Sequence, residues 1–266
     1  MAGVELIHFN PSRPVISGWY GHLLPLRRRL NNFGDLLGPL VVHALLKERR
    51  IDPDSSGGRN ARLLTVGSIL HFARTGDVVW GTGRNGKIPD SAHRFADLDV
   101  RAVRGPLTRQ FLEGRGIRTA DVFGDPGLLI SRAFPELVVR ARAPTRPYLH
   151  VPNYNDLGRT ERSDALLDPR SPVRVCLEAI AQSELVVGSS LHAIIVAEAL
   201  GIPARVIRSP VEDEFKYVDY YLGTGRHDFR PASSVGEALR LGGEQPPSID
   251  LKPLIDAFPV DLWTGS

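Results

Sequence analysis

The chain has a single cysteine, Cys176, only four lysines, and no run of eighteen apolar residues among its 266 positions. One thiol excludes an intrachain disulfide and a cysteine-ligated metal cluster. The missing apolar run excludes a bilayer-spanning helix read from sequence. Met1 to Ile7 shows no basic stretch leading into an apolar core, so no secretory signal is expected and the cytoplasm is the expected compartment. Aromatics are 7% of the chain and do not interleave with the basic residues, which argues against nucleic-acid binding. No Gly-Lys-Ser/Thr phosphate loop occurs, and Gly188-Ser189-Ser190 is no Gly-x-Ser-x-Gly nucleophile elbow. Gly81-Thr82-Gly83-Arg84-Asn85-Gly86 has the spacing of a dinucleotide fingerprint but follows the wrong strand and lacks a downstream acid. The histidines have no metal-ligand spacing. Neither a metal nor a cofactor is expected.

Lysine scarcity colours the charge. Of 33 basic residues only Lys47, Lys87, Lys216 and Lys252 are lysine, which leaves 29 arginines against 30 acidic residues. Guanidinium forks suit phosphate and carboxylate. An anionic substrate and a GC-rich coding bias both account for this excess.

Hydrophobic residues make up 42% of the chain, enough for one large or two modest domains. Apolar runs of strand length end in glycine or serine and alternate with helical patterns. The strands expected are Val4 to Phe9, Arg62 to Ser68, Asp77 to Gly81, Val100 to Arg104 and Asp121 to Gly124. Helices are expected within Asn31 to Arg50 and over Pro106 to Glu113, the second opened by its proline and stopped by Gly114 and Gly116. The Arg/Pro/Ala-rich stretch Arg140 to Pro147 reads as a boundary, after which the rhythm resumes. Further strands are expected at Tyr148 to Pro152, Leu185 to Gly188 and Ala204 to Ile207, with helices at Val173 to Gln182 and Leu191 to Leu200. The fold class is α/β: two Rossmann-like lobes, residues 1–143 and 144–266, with a cleft between them.

The strongest local signal is Glu184 to Pro203, a buried strand running through Gly188-Ser189-Ser190 into an apolar helix. In open parallel sheets ligands bind beyond the carboxyl ends of the strands, where a helix N-terminus presents free N–H groups to an anion. Ser189 or Ser190 can cap the helix, and His192 lies in its first turn, either packed or functional. Asn31-Asn32-Phe33-Gly34-Asp35 leads into the first helix; Asp35 is placed either to cap it or to face the cleft as a base. Arg104 stands at the carboxyl end of its strand, with Arg101 facing the other way. Lys216, Asp219, Tyr220 and Tyr221 form a polar-aromatic cluster, suited to stacking on sugar rings or simply a packed strand edge.

In this order the segments Asn32 to Pro39, Gly67 to Leu70, Val79 to Gly83, Arg101 to Thr108, Gly124 to Gly127, Val151 to Tyr154, Ser189 to His192 and Phe215 to Tyr221 resemble the polysaccharide pyruvyl transferase family, over residues 4 to 225. The resemblance implies a two-lobed fold similar to GT-B glycosyltransferases, phosphoenolpyruvate as donor substrate, and a saccharide acceptor, free or lipid-linked. It places the protein at most transiently at the inner face of the cytoplasmic membrane. His192 matches the family histidine and Arg104 the strand-end arginine. On this reading His192 and Asp35 are catalytic. Arg104, Ser189, Ser190, Leu191 and Arg208 bind the donor; Asn31, Asn32, Asn153, Lys216, Asp219 and Tyr220 bind the acceptor. Many relatives have Arg-Leu-His where this chain has Ser190-Leu191-His192, so the anion-binding load shifts to Arg104, Arg109, Arg208 or backbone amides. Relatives also often have glycine at Ala193 and histidine at Asn153. A nucleotide-sugar glycosyltransferase and an inactive binding homologue are the competing readings.

Overall fold

Strongly apolar short runs separated by turn residues pair in parallel when helices connect them, because both faces are then covered. That is the arrangement in the computed structural model, which describes residues 3–10, 12–14, 27–29, 31–55 and 60–265. Met1, Ala2 and Ser266, the outer ends of the two expected lobes, lie outside the described residues. Strand β1 (Val4–Ile7) is followed by a small antiparallel pair, β2 (Ser12–Pro14) and β3 (Arg27–Arg29). Helix α1 (Leu37–Glu48) leads to β4 (Ala61–Leu64), β5 (Val78–Trp80) and β6 (Asp99–Ala102). These strands form a parallel sheet in the order β1-β4-β5-β6, with Leu6 beside Leu63 and Leu63 beside Val78. The expected strand Asp121 to Gly124 is not one: it contributes only a bridge between Val103 and Phe123.

Helices α2 (Pro106–Glu113), α3 (Ile130–Ala133) and α4 (Pro135–Ala141) precede a second parallel sheet. It is built from β7 (Leu149–His150), β8 (Val186–Gly188) and β9 (Ala204–Val206), in the order β7-β8-β9. Helix α5 (Val173–Ala181) connects β7 to β8, and α6 (Leu191–Ala199) connects β8 to β9. The α/β class with parallel sheets is therefore observed. Residues 215–223, expected as a strand edge or sugar platform, instead form helix α7 (Phe215–Gly223), in which Tyr217, Tyr220 and Tyr221 are buried. Three further helices close the chain: α8 (Val235–Leu241), α9 (Lys252–Asp256) and α10 (Asp261–Thr264). No helix among the described residues is long and apolar enough to cross a membrane.

One core runs through both sheets. Helix α6 is apolar on all sides, the mark of a helix with no solvent face, and Ile194, Ile195 and Val196 are fully buried. It shares a cluster with Leu37 and Val41 of α1 and with Leu128 to Ile130 of the first half. The terminal helices return to the first sheet: Trp80 Nε1 donates to Leu254 O at 2.8 Å, the Trp80 ring meets Phe258 edge-on at 5.0 Å, and Arg101 pairs with Asp261 at 3.1 Å. Ile195→Ala should lower unfolding free energy by about 2–5 kcal/mol in urea denaturation. Val139→Ala, at a residue 68% exposed, should change it by less than about 0.5 kcal/mol.

Candidate functional site

Loops at the carboxyl ends of both sheets meet over a cleft of about 300 Å³. Its floor comes from the turn into α6. Strand β8 ends in glycine, Ser190 takes the N-cap position, and its hydroxyl accepts from Ala193 N, so α6 starts at once and His192 falls in the first turn. The Ser190 N–H is engaged by Val151 O at 3.1 Å and is not available to an anion. His192 packs on the 3₁₀ turn Phe33–Leu36, where a Cβ on Gly34 would lie 2.1 Å from His192 Nδ1; only glycine admits the ring there. The same turn presents Asp35. It does not cap α1: the helix has Leu36 at its N-cap and no side-chain cap. Instead Asn32 Nδ2 donates to Asp35 Oδ2 at 2.6 Å. Asp35 Oδ1 and His192 Nε2 both border Gly67, at 3.5 and 3.8 Å from the position its Cβ would take.

The two groups have exchanged their ordinary titration ranges. Burial raises the Asp35 carboxyl to about 7, against the pull of Asn32 and the Lys216 charge. Burial, with the positive charges of Lys216 and Arg104, lowers the His192 imidazole to about 3. At neutral pH His192 is a neutral ring and Asp35 is the group that gains and loses a proton. A neutral imidazole N–H can still donate to a ligand oxygen.

The cleft gathers Asn32, Asp35, Asn153, Ser190, Leu191, His192 and Lys216 from the sequence candidates. The remaining candidates fall elsewhere. Arg104 has no exposed surface. Its Nε and Nη2 face the buried Asp219 Oδ2 at 3.1 Å each, Nη2 also donates to Arg84 O at 2.9 Å, and Nη1 donates to Ser68 Oγ at 2.6 Å. Ser68 is the residue that lines the cleft, so Arg104 acts one layer behind it. Asp219 also accepts from Thr108 N and Oγ at 3.0 and 2.6 Å, which leaves its carboxylate no contact with an acceptor sugar. Tyr220 is fully buried, its hydroxyl on Glu198. Ser189 turns away from the cleft, donating to Asp156, and Arg208 lies beyond it, exposed and paired with Glu214 at 2.8 Å. Arg109 pairs with Glu113 at 2.8 Å and with Asp121. Asn31 does not line the cleft.

Sequence reasoning missed Ser68, Asn85, Lys87, Tyr154, Asn155 and Glu212, all of which line the cleft. They sit on loops without periodicity. Lys87 alone carried a signal, as one of only four lysines.

Two parallel sheets with a polar, charged cleft at their carboxyl ends define an α/β protein with a ligand-sized site where its two sheets meet. Residues 15–209 match the polysaccharide pyruvyl transferase family, and the chain belongs to it. It is 29% identical over 228 residues to the succinoglycan biosynthesis protein ExoV of Rhizobium meliloti, covering 79% of this chain and 68% of that protein. It is 30% identical over 175 residues to an uncharacterized protein of Acanthamoeba polyphaga mimivirus, covering 60% and 59%. The crystal structure of an uncharacterized Klebsiella pneumoniae protein aligns over 83% of this chain and 87% of its own, at 11% identity and a TM-score of 0.45.

Asp219→Ala strips the buried Arg104 of its carboxylate and should destabilise the protein by about 3–5 kcal/mol, read by chemical denaturation. The Asp35 carboxyl should titrate near pH 7 by carbon-detected NMR. Asn32→Ala, which removes the bond favouring the ionised form, should move that midpoint upward; a midpoint near 4 in either protein would refute the assignment.

Proposed function

We propose that the protein transfers the pyruvyl unit of phosphoenolpyruvate to two neighbouring hydroxyls of a saccharide, forming a pyruvate ketal. Family membership supports pyruvyl transfer to a polysaccharide or its precursor. The carrying observation is Asp35, raised to about 7, sharing the space over Gly67 with the neutral ring of His192. The two lobes would then face each other in the manner of GT-B enzymes, with the donor against His192 and Ser190. The acceptor would lie along Asn32 and Asn153.

In the reaction a sugar hydroxyl adds to C2 of phosphoenolpyruvate, and the proton it gives up to Asp35 is passed on to the C3 methylene. The C2–O bond to phosphate then breaks, the second hydroxyl bonds to C2, and its proton leaves with inorganic phosphate. Ionised Asp35 accepts the proton of the attacking hydroxyl, a task that calls for a pKa near the working pH. His192 holds the bridging phosphate oxygen through an N–H. A bound phosphate dianion favours the charged ring and raises its pKa, so the donor itself makes His192 a better proton source for the leaving group. Arg104 holds Ser68 in place and adds positive potential without touching the donor.

Phosphoenolpyruvate should raise the melting temperature well beyond phosphate, pyruvate or UDP-glucose at equal concentration; at a hundredfold excess over Kd the gain corresponds to about 2.7 kcal/mol. Stabilisation by UDP-glucose alone would replace this reading with glycosyl transfer. With a competent acceptor, kcat/KM should rise as pH increases through about 7, and Asp35→Asn should lower it by about a hundredfold or more. An unchanged rate and pH profile in Asp35→Asn would remove Asp35 from the chemistry.

A further inference from the structure

In a chain with 29 arginines, no arginine among the described residues lines the cleft, yet two of the four lysines do. Both reach one carboxylate. Lys216 Nζ donates to Glu212 Oε2 at 2.8 Å, Lys87 Nζ donates to Oε1, and Asn155 Nδ2 donates to Oε1 at 2.9 Å. The Glu212 side chain is only 3% exposed, so the cleft holds an anion of its own, enclosed by two ammonium groups and an amide. Lys87 comes from the loop after β5 and Glu212 from the loop after β9, so the contact also joins the two sheets. The Glu212 main chain is held separately, its N–H donating to Ser209 Oγ at 2.9 Å. The carboxylate can therefore leave by rotation of its own side chain.

We propose that Lys87 and Lys216 form the seat for the donor's phosphate, and that Glu212 fills this seat in the free protein as a stand-in anion that the donor displaces. The proposal rests on the phosphoenolpyruvate reading for the donor's identity, though the seat itself concerns any phosphate. The charges match. With Glu212 in place the pair keeps a single net positive charge; with it rotated away, two ammonium groups face a phosphate dianion. Lysine suits an exchangeable seat, since its compact ammonium has no fixed fork to hold one partner. The arginine absent before Leu191-His192 is thereby replaced from the loop after β5 and from α7, not by Arg104, Arg109 or Arg208.

Removing the internal competitor should tighten binding by the inverse of the fraction of time the seat is free. By calorimetry, Glu212→Gln, which keeps an acceptor for the lysines, should bind inorganic phosphate and phosphoenolpyruvate about tenfold more tightly than the unaltered protein. The gain should vanish in the Glu212→Gln/Lys216→Met double variant. Phosphate affinity that is unchanged or weaker in Glu212→Gln, or a gain that survives Lys216→Met, overturns the proposal. A gain for phosphate with no binding of phosphoenolpyruvate to either protein keeps the seat and refutes the donor. Equal binding of phosphoenolpyruvate to both proteins keeps the donor and refutes the seat. If Glu212→Gln unfolds in plain buffer, added phosphate should restore its melting temperature, and failure to do so also overturns the proposal.

Discussion

The buried pair between Arg104 and Asp219 is the constraint on which the cleft depends. Neither side chain has any exposed surface, and Asp219 accepts from Arg104 and from both donors of Thr108. Such a pair adds little over an apolar substitute but costs heavily when halved, so what it supplies is one permitted arrangement. That arrangement is close: a Cβ on Gly105 would lie 1.8 Å from Asp219 O, so α7 presses directly on the turn before α2. With α7 fixed there, Lys216 faces the cleft, and the other end of the Arg104 guanidinium holds Ser68 in its wall. A single satisfied carboxylate thus sets residues contributed by both sheets.

The electrostatics of the site follow from this enclosure. Histidine ordinarily titrates nearest to physiological pH and aspartate well below it. Here two cations stand near His192 in a desolvated setting, while Asp35 sits in the same setting with one amide bond and one nearby lysine to support its charge. Enclosure acts in opposite directions on an acid and a base, so residue type alone does not tell which of the two titrates near neutral pH.

Much of the fold was legible because it is written locally. An apolar run, a glycine, a serine cap and an apolar helix occur consecutively from Leu185 to Ala199, and strand and helix form there as read. Asp121 to Gly124 has strand-like composition, but it settles for a bridge at Phe123 beside Val103. Residues 215–223 misled because tyrosine and valine favour strands; buried contacts to α2 and α6 decide for a helix instead. The site was legible where it lies within α6 and the turn before α1. It was opaque where partners are far apart: Arg104 and Asp219 are 115 residues apart, Lys87 and Glu212 are 125 apart. Nothing in either neighbourhood announces the other.

The return of the last two helices to the first sheet bears on how the protein is made. Trp80 and Arg101 belong to the first hundred or so residues, yet their partners Leu254 and Asp261 leave the ribosome some 160 or more residues later. Domains generally fold as they emerge, but here the partners of Trp80 lie beyond the second sheet in the chain. The flank of the first sheet around Trp80 therefore receives its native cover only once the last two helices have been made.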